Sequence, residues 1–181
     1  MGLQFFNRKQ LAILGDSLDI AEDATSNYYK LSLSQWKRHR FDIKTLSSLF
    51  GEDIKDNVFA LLKRYEKDDK AEIDSLYKRR DFYIICLQDH QILRALRRDK
   101  DLKLLPLLSY ILTHELVHIV RFRNFNVRFH TQEECNRTRE EKIVHQKTYE
   151  ILKKISLPNM EYILGSYMPN RLASDFDISY V

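Results

Sequence analysis

Leu104-Leu105-Pro106-Leu107-Leu108-Ser109-Tyr110-Ile111-Leu112-Thr113-His114-Glu115-Leu116-Val117-His118-Ile119-Val120-Arg121-Phe122-Arg123 is the stretch on which the reading of this chain turns. Ile111, Leu112, Leu116, Val117, Ile119 and Val120 surround one histidine pair and one glutamate. A helix apolar around nearly its whole girth is buried, so the pattern predicts a central core helix over 102–123. Pro106 suits its first turn, where a missing N–H is harmless. In a helix, positions i and i+4 lie on one face, one turn apart. His114 and His118 therefore project side by side, near enough to bind one metal ion. Glu115 stands about 100° around the helix from His114, placed to reach a water on that metal without ligating it. Two imidazoles and a carboxylate buried together are costly unless something compensates them. A metal does so; a hydrogen-bonded core histidine pair is the plain structural alternative.

The rest of the chain is read outward from this helix. The 181 residues predict a single domain over 1–181, with a helical N-terminal part and strand(s) in 1–100, a core in 101–158 and a tail in 159–181. Four Gly and three Pro are few breakers, which favours an α+β, predominantly helical fold over a sandwich or barrel. Helical patterns run over 17–38, 43–50 and 53–67, the last with Ile54, Val58, Leu61, Leu62 and Tyr65 on one stripe. Residues 82–87, Phe-Tyr-Ile-Ile-Cys-Leu, are the best strand, short and continuous enough to be covered on both faces. The segment 91–96 fits either a strand or a helix. Residues 132–155 predict a long helix limited by Pro158.

Composition narrows the function. The net charge is +4 and 31% of residues are charged. Basic clusters at 37–40, 78–80 and 97–98 are interleaved with Asp42, Asp81, Asp99 and Asp101, so no single-sign stripe forms and nucleic-acid binding is disfavoured. Cys86 and Cys135 belong to no Cys-x-x-Cys pair, and buried free thiols suit a reducing, cytoplasmic location. No signal peptide is evident at the N-terminus. The apolar run 104–120 is broken by Pro106, His114, Glu115 and His118, which argues for a soluble protein and against a membrane span.

A catalytic zinc takes three protein ligands and keeps one position open. The Gly and His that would continue a metzincin motif are absent, as Arg121 and Asn124 stand there, and no inverted His-x-x-Glu-His occurs. The segment Arg139-Glu140-Glu141-Lys142-Ile143-Val144-His145 offers two adjacent carboxylates, which flank the inward face of the second long helix on opposite sides.

Here the chain resembles the gluzincin metallopeptidases over about 104–155, roughly a third of its length. In these, the active-site helix carries His-Glu-x-x-His and a later glutamate helix supplies the third ligand. That Glu often begins a Glu-x-x-x-Asp pattern whose Asp supports a zinc-binding His. Glu141-Lys142-Ile143-Val144-His145 is similar, with His145 where Asp is usual. The small size is similar to minimal gluzincin catalytic domains. The resemblance implies a zinc metallopeptidase acting on a peptide or protein substrate. Its metal ligands would be His114, His118 and Glu141, with Glu140 the alternative third ligand, and Glu115 would be the general base. It also implies that substrate lies extended along an edge strand, and that Tyr162 or Tyr167 could steady an oxyanion. A di-iron carboxylate site is disfavoured, since it needs a second Glu-x-x-His. A metal-binding regulatory protein without turnover is the alternative from another class. His130 could ligate, although a loop His is more often ordinary surface, and His90 and His39 have no partner motif. In the tail, Asp175 and Asp177 alternate with apolar residues, as in a strand that could lie in the cleft and hold the enzyme latent.

Overall fold

The computed structural model describes residues 2–65, 82–124 and 134–166. The first helix, α1 (Arg8–Tyr28), starts nine residues before the pattern at Ser17, because its start is set by a cap rather than by apolar spacing. Asn7 Oδ1 accepts from the Gln10 backbone N–H at 3.0 Å, and Gln10 Oε1 accepts from the Asn7 backbone N–H at 2.8 Å. The buried face of α1 is Leu14, Ser17, Ala21 and Thr25, a row one turn apart. Its small side chains let α1 lie close along α4, where Ser17 Oγ reaches the Leu105 carbonyl at 3.4 Å.

After a single turn, α2 (Leu33–Trp36), comes a three-stranded sheet: β1 (Phe41–Lys44), β2 (Ala60–Tyr65) and β3 (Phe82–Leu87), in the order β1-β3-β2. β3 is central, parallel to β1 and antiparallel to β2. Tyr83, Ile85 and Leu87 face the main core, while Ile84 and Cys86 join Leu46, Leu49 and Leu61 in a smaller cluster on the other face. Both faces of this strand are covered, which is why it reads as an unbroken apolar run.

Two helical expectations fail here. Residues 43–50 form the end of β1 and a short 3-10 turn at Leu46–Ser48, and residues 53–67 contain β2 rather than an amphipathic helix. The stripe Ile54, Val58, Leu61, Leu62 has helical spacing, but pairing with β3 decides the matter. Leu61 and Leu62 are both fully buried, on opposite sides of the sheet, and a helix would not divide adjacent residues in that way.

The ambiguous 91–96 segment is helical, within α3 (Asp89–Arg98). The core helix is α4 (Leu104–Asn124), buried without a break over 106–120, with Pro106 in its first turn. α5 (Glu134–Leu152) packs across it, and α6 (Met160–Ser166) adds Met160, Ile163 and Leu164 to the core where an irregular tail is expected. The fold is thus mixed α+β and mostly helical, with a small sheet. Among the described residues, no helix is long and apolar enough to cross a membrane.

Candidate metal centre

Helices α4 and α5 meet at a buried polar cluster. His114 and His118 are both fully buried, and their Nε2 atoms stand 3.2 Å apart. Glu141, from α5, spans the pair: its Oε2 lies 3.4 Å from His114 Nε2 and its Oε1 lies 3.3 Å from His118 Nε2. Ligands about 2.0–2.1 Å from a tetrahedral zinc stand about 3.3 Å from one another. The three edges of this triangle therefore have the length that a shared zinc ion requires.

The neighbouring carboxylate is disposed of differently. Glu140 makes a two-pronged ion pair with Arg121 of α4, Nε to Oε1 at 2.5 Å and Nη2 to Oε2 at 2.8 Å. One residue along a helix is about 100° of rotation, so anchoring Glu140 on Arg121 leaves Glu141 to face the histidines. Of the two adjacent glutamates, the one beside the histidines is thus Glu141, and the one on Arg121 is Glu140.

Glu115 is 2% exposed, and its Oε2 is buried without a hydrogen-bond partner among the described residues. Burial pushes its carboxyl up to about 8, against the pull of His118. Burial holds the His114 imidazole below its ordinary range. Burial also works against a charged His118, but the Glu141 carboxylate and, more weakly, Glu115 and Glu140 outweigh it and raise His118. Glu141 is buried too, yet the two imidazoles keep its carboxyl well below the usual carboxylate range. The cluster thus offers two imidazole nitrogens and an ionised carboxylate to a cation, with a second carboxylate beside them. That donor set fits zinc.

His145 is the residue that sequence reasoning placed only as a stand-in for a supporting Asp. It lies one turn beyond Glu141 on α5, and its ring centroid is 4.5 Å from that of His114. His114, Glu141 and His145 each present a ligand atom within 4.8 Å of the others. Tyr110 Oη lies 2.9 Å from His145 Nδ1. A signal for each was present: Tyr110, His114, His118 and Phe122 form an i, i+4 row of rings on α4, with Phe122 stacked on His118 at 5.6 Å, and His145 stands four residues after Glu141 on α5.

Other candidates are occupied elsewhere. His39 Nδ1 meets the Gln35 carbonyl at 3.1 Å, and His90 Nε2 meets Asp56 Oδ1 at 3.2 Å. The Tyr162 hydroxyl donates to Asp99 Oδ2 at 2.6 Å, which commits it to a surface contact. Cys86 is a buried free thiol on β3. His130, Tyr167, Asp175, Asp177 and the Cys135 side chain lie outside the described residues, and so does the strand-like tail. Comparison of the chain with known protein families, with curated proteins and with solved structures finds no match.

Proposed function

We propose that this protein is a zinc-dependent peptidase of gluzincin type, with α4 as its active-site helix and α5 as its glutamate helix. The observation that carries the reading is the triangle of His114, His118 and Glu141, with edges of 3.2, 3.3 and 3.4 Å, set beside a buried Glu115 oxygen that has no hydrogen-bond partner among the described residues. A structural histidine pair would not need a second carboxylate buried next to it.

His114, His118 and Glu141 would hold the zinc. When bound there, zinc supplies an activated water and polarises the scissile carbonyl. Glu115 acts as general base: Oε2 receives a proton from the attacking water and later delivers it to the leaving amine. Its burial keeps the carboxyl beside the three ligands and out of bulk water. Arg121 positions Glu141 indirectly, by holding Glu140 to the opposite side of α5. Among the described residues, β2 is a sheet edge that touches α4, and an extended peptide or protein substrate would add there as a strand. A cytoplasmic location agrees with the buried free thiol of Cys86.

Elemental analysis of the purified full chain tests the metal, and cleavage of unfolded casein tests the activity. The expected outcome is about one zinc per chain and casein cleavage that chelation removes. Iron in pairs, or no metal after zinc loading, would overturn the reading. A metal-holding regulatory protein is the second reading, favoured by the extra donor His145. It predicts zinc without cleavage.

A further inference from the structure

We propose that His145 is a fourth protein ligand to the metal at His114, His118 and Glu141, held for that role by Tyr110, and that substrate reaches the metal only when His145 is displaced. The inference rests on the reading of this cluster as a metal centre and adds its regulation.

Three observations carry it. Glu141 and His145 are four residues apart on α5 and so share one face; the face that brings the glutamate to the histidine pair brings His145 as well. The ligand atom of His145 lies within 4.8 Å of those of His114 and Glu141, so the three residues form one group able to hold a metal ion. Finally, its Nδ1 is engaged by Tyr110 at 2.9 Å. A ligating histidine usually donates its other ring N–H to an oxygen, which fixes the tautomer and the ring plane. With Nδ1–H on the Tyr110 hydroxyl, the ring ligates through Nε2, the nitrogen that His114 and His118 also turn to the centre of the cluster.

Tyr110 is itself placed for the task. It precedes His114 by one turn on α4, and its ring is stacked beside those of both His114 and His145, with centroids 6.5 Å away in each case.

Four protein ligands make a closed zinc site, whereas a catalytic one keeps an open position. Movement of His145 away from the metal would open that position. The partly exposed setting of His145 gives it room to move that the buried His114 and His118 lack.

The test uses the full chain loaded with Co2+, whose visible spectrum reports the ligand set, and acetohydroxamate as a small metal-seeking probe. Wild type should bind Co2+ and keep its spectrum when the probe is added. His145→Ala should bind Co2+ roughly tenfold or more weakly, and its spectrum should shift with the probe. His145→Gln repeats the measurement with less change in packing, and circular dichroism establishes that each variant is folded. Tyr110→Phe should weaken Co2+ binding less than His145→Ala does. A wild-type spectrum that shifts with the probe as the variant does, or unchanged Co2+ affinity in both folded His145 variants, would overturn the proposal and leave the metal centre standing. Wild type that takes up neither Co2+ nor Zn2+ would overturn both.

Discussion

Among the described residues, the buried polar clusters at the start of α3 and between α4 and α5 are built on opposite plans. At the start of α3, Asp89 is 1% exposed and Gln88 fully buried. The two Asp89 oxygens accept the backbone N–H groups of Phe6 at 2.9 Å and Leu46 at 3.0 Å. Gln88 Oε1 accepts from the Lys55 N–H at 3.0 Å, and its Nε2 donates to the carbonyls of Asp53 at 2.8 Å and Cys86 at 3.3 Å. Each of these polar atoms meets a complementary backbone group, and the pair ties three distant segments to the end of β3. At α4 and α5 the arrangement is reversed. Ring nitrogens face one another, a carboxylate faces both, and Glu115 Oε2 has no hydrogen-bond partner among the described residues. Buried polar groups that serve the scaffold close their hydrogen bonds internally. Groups that leave theirs open, at some cost in stability, are those to examine for chemistry.

This contrast is open to attack at several points. The largest expected effect is on turnover. Glu115→Gln should retain zinc and lower casein cleavage by roughly two to four orders of magnitude, while leaving the urea unfolding midpoint unchanged or higher. Wild-type activity in that variant would remove Glu115 from the mechanism. Next comes the zinc affinity of Glu141→Ala against Glu140→Ala. The first removes a carboxylate from the histidine pair, and the second only releases Arg121. A larger loss for Glu140→Ala would exchange their roles.

The scaffold cluster should behave in the opposite way to Glu115. Asp89→Ala leaves two buried backbone N–H groups without acceptors and should cost about 2–5 kcal/mol in urea unfolding. The loss should be the same with and without zinc. A neutral result would mean that the closed cluster is dispensable. The smallest effect concerns Cys86, whose thiol burial pushes up to about 11. Thiolate being the reactive form, only about a thousandth of it is ionised at pH 8. Iodoacetamide should therefore leave Cys86 unlabelled in the native protein and label it after unfolding, as read by peptide mass spectrometry. Rapid native labelling would show that β3 is less well covered than its packing indicates.

What was legible in the residues differs from segment to segment. The central strand over 82–87 and the core helix around His114 could be read directly, because an unbroken apolar run and an all-round apolar helix both report burial. The segment over 53–67 could not. Its apolar residues fit a helical stripe until β3 is placed beside it, and strand pairing is a contact between residues far apart in sequence. The start of α1 was missed for another reason: Asn7 and Gln10 cap the helix through side-chain hydrogen bonds that hydrophobic spacing does not register.

The candidate site divides along the same line. That His114 and His118 lie side by side with Glu115 turned off their face follows from the pitch of one helix. That Glu141 rather than Glu140 meets them, and that His145 and Tyr110 stand at the same place, follows from how α5 packs on α4. The rotation of α5 against α4 is set by the Arg121–Glu140 pair and by packing between the helices, including Val144, Ile151 and Leu152 in the shared core. No periodicity within either helix specifies that angle, since it is a property of two surfaces meeting.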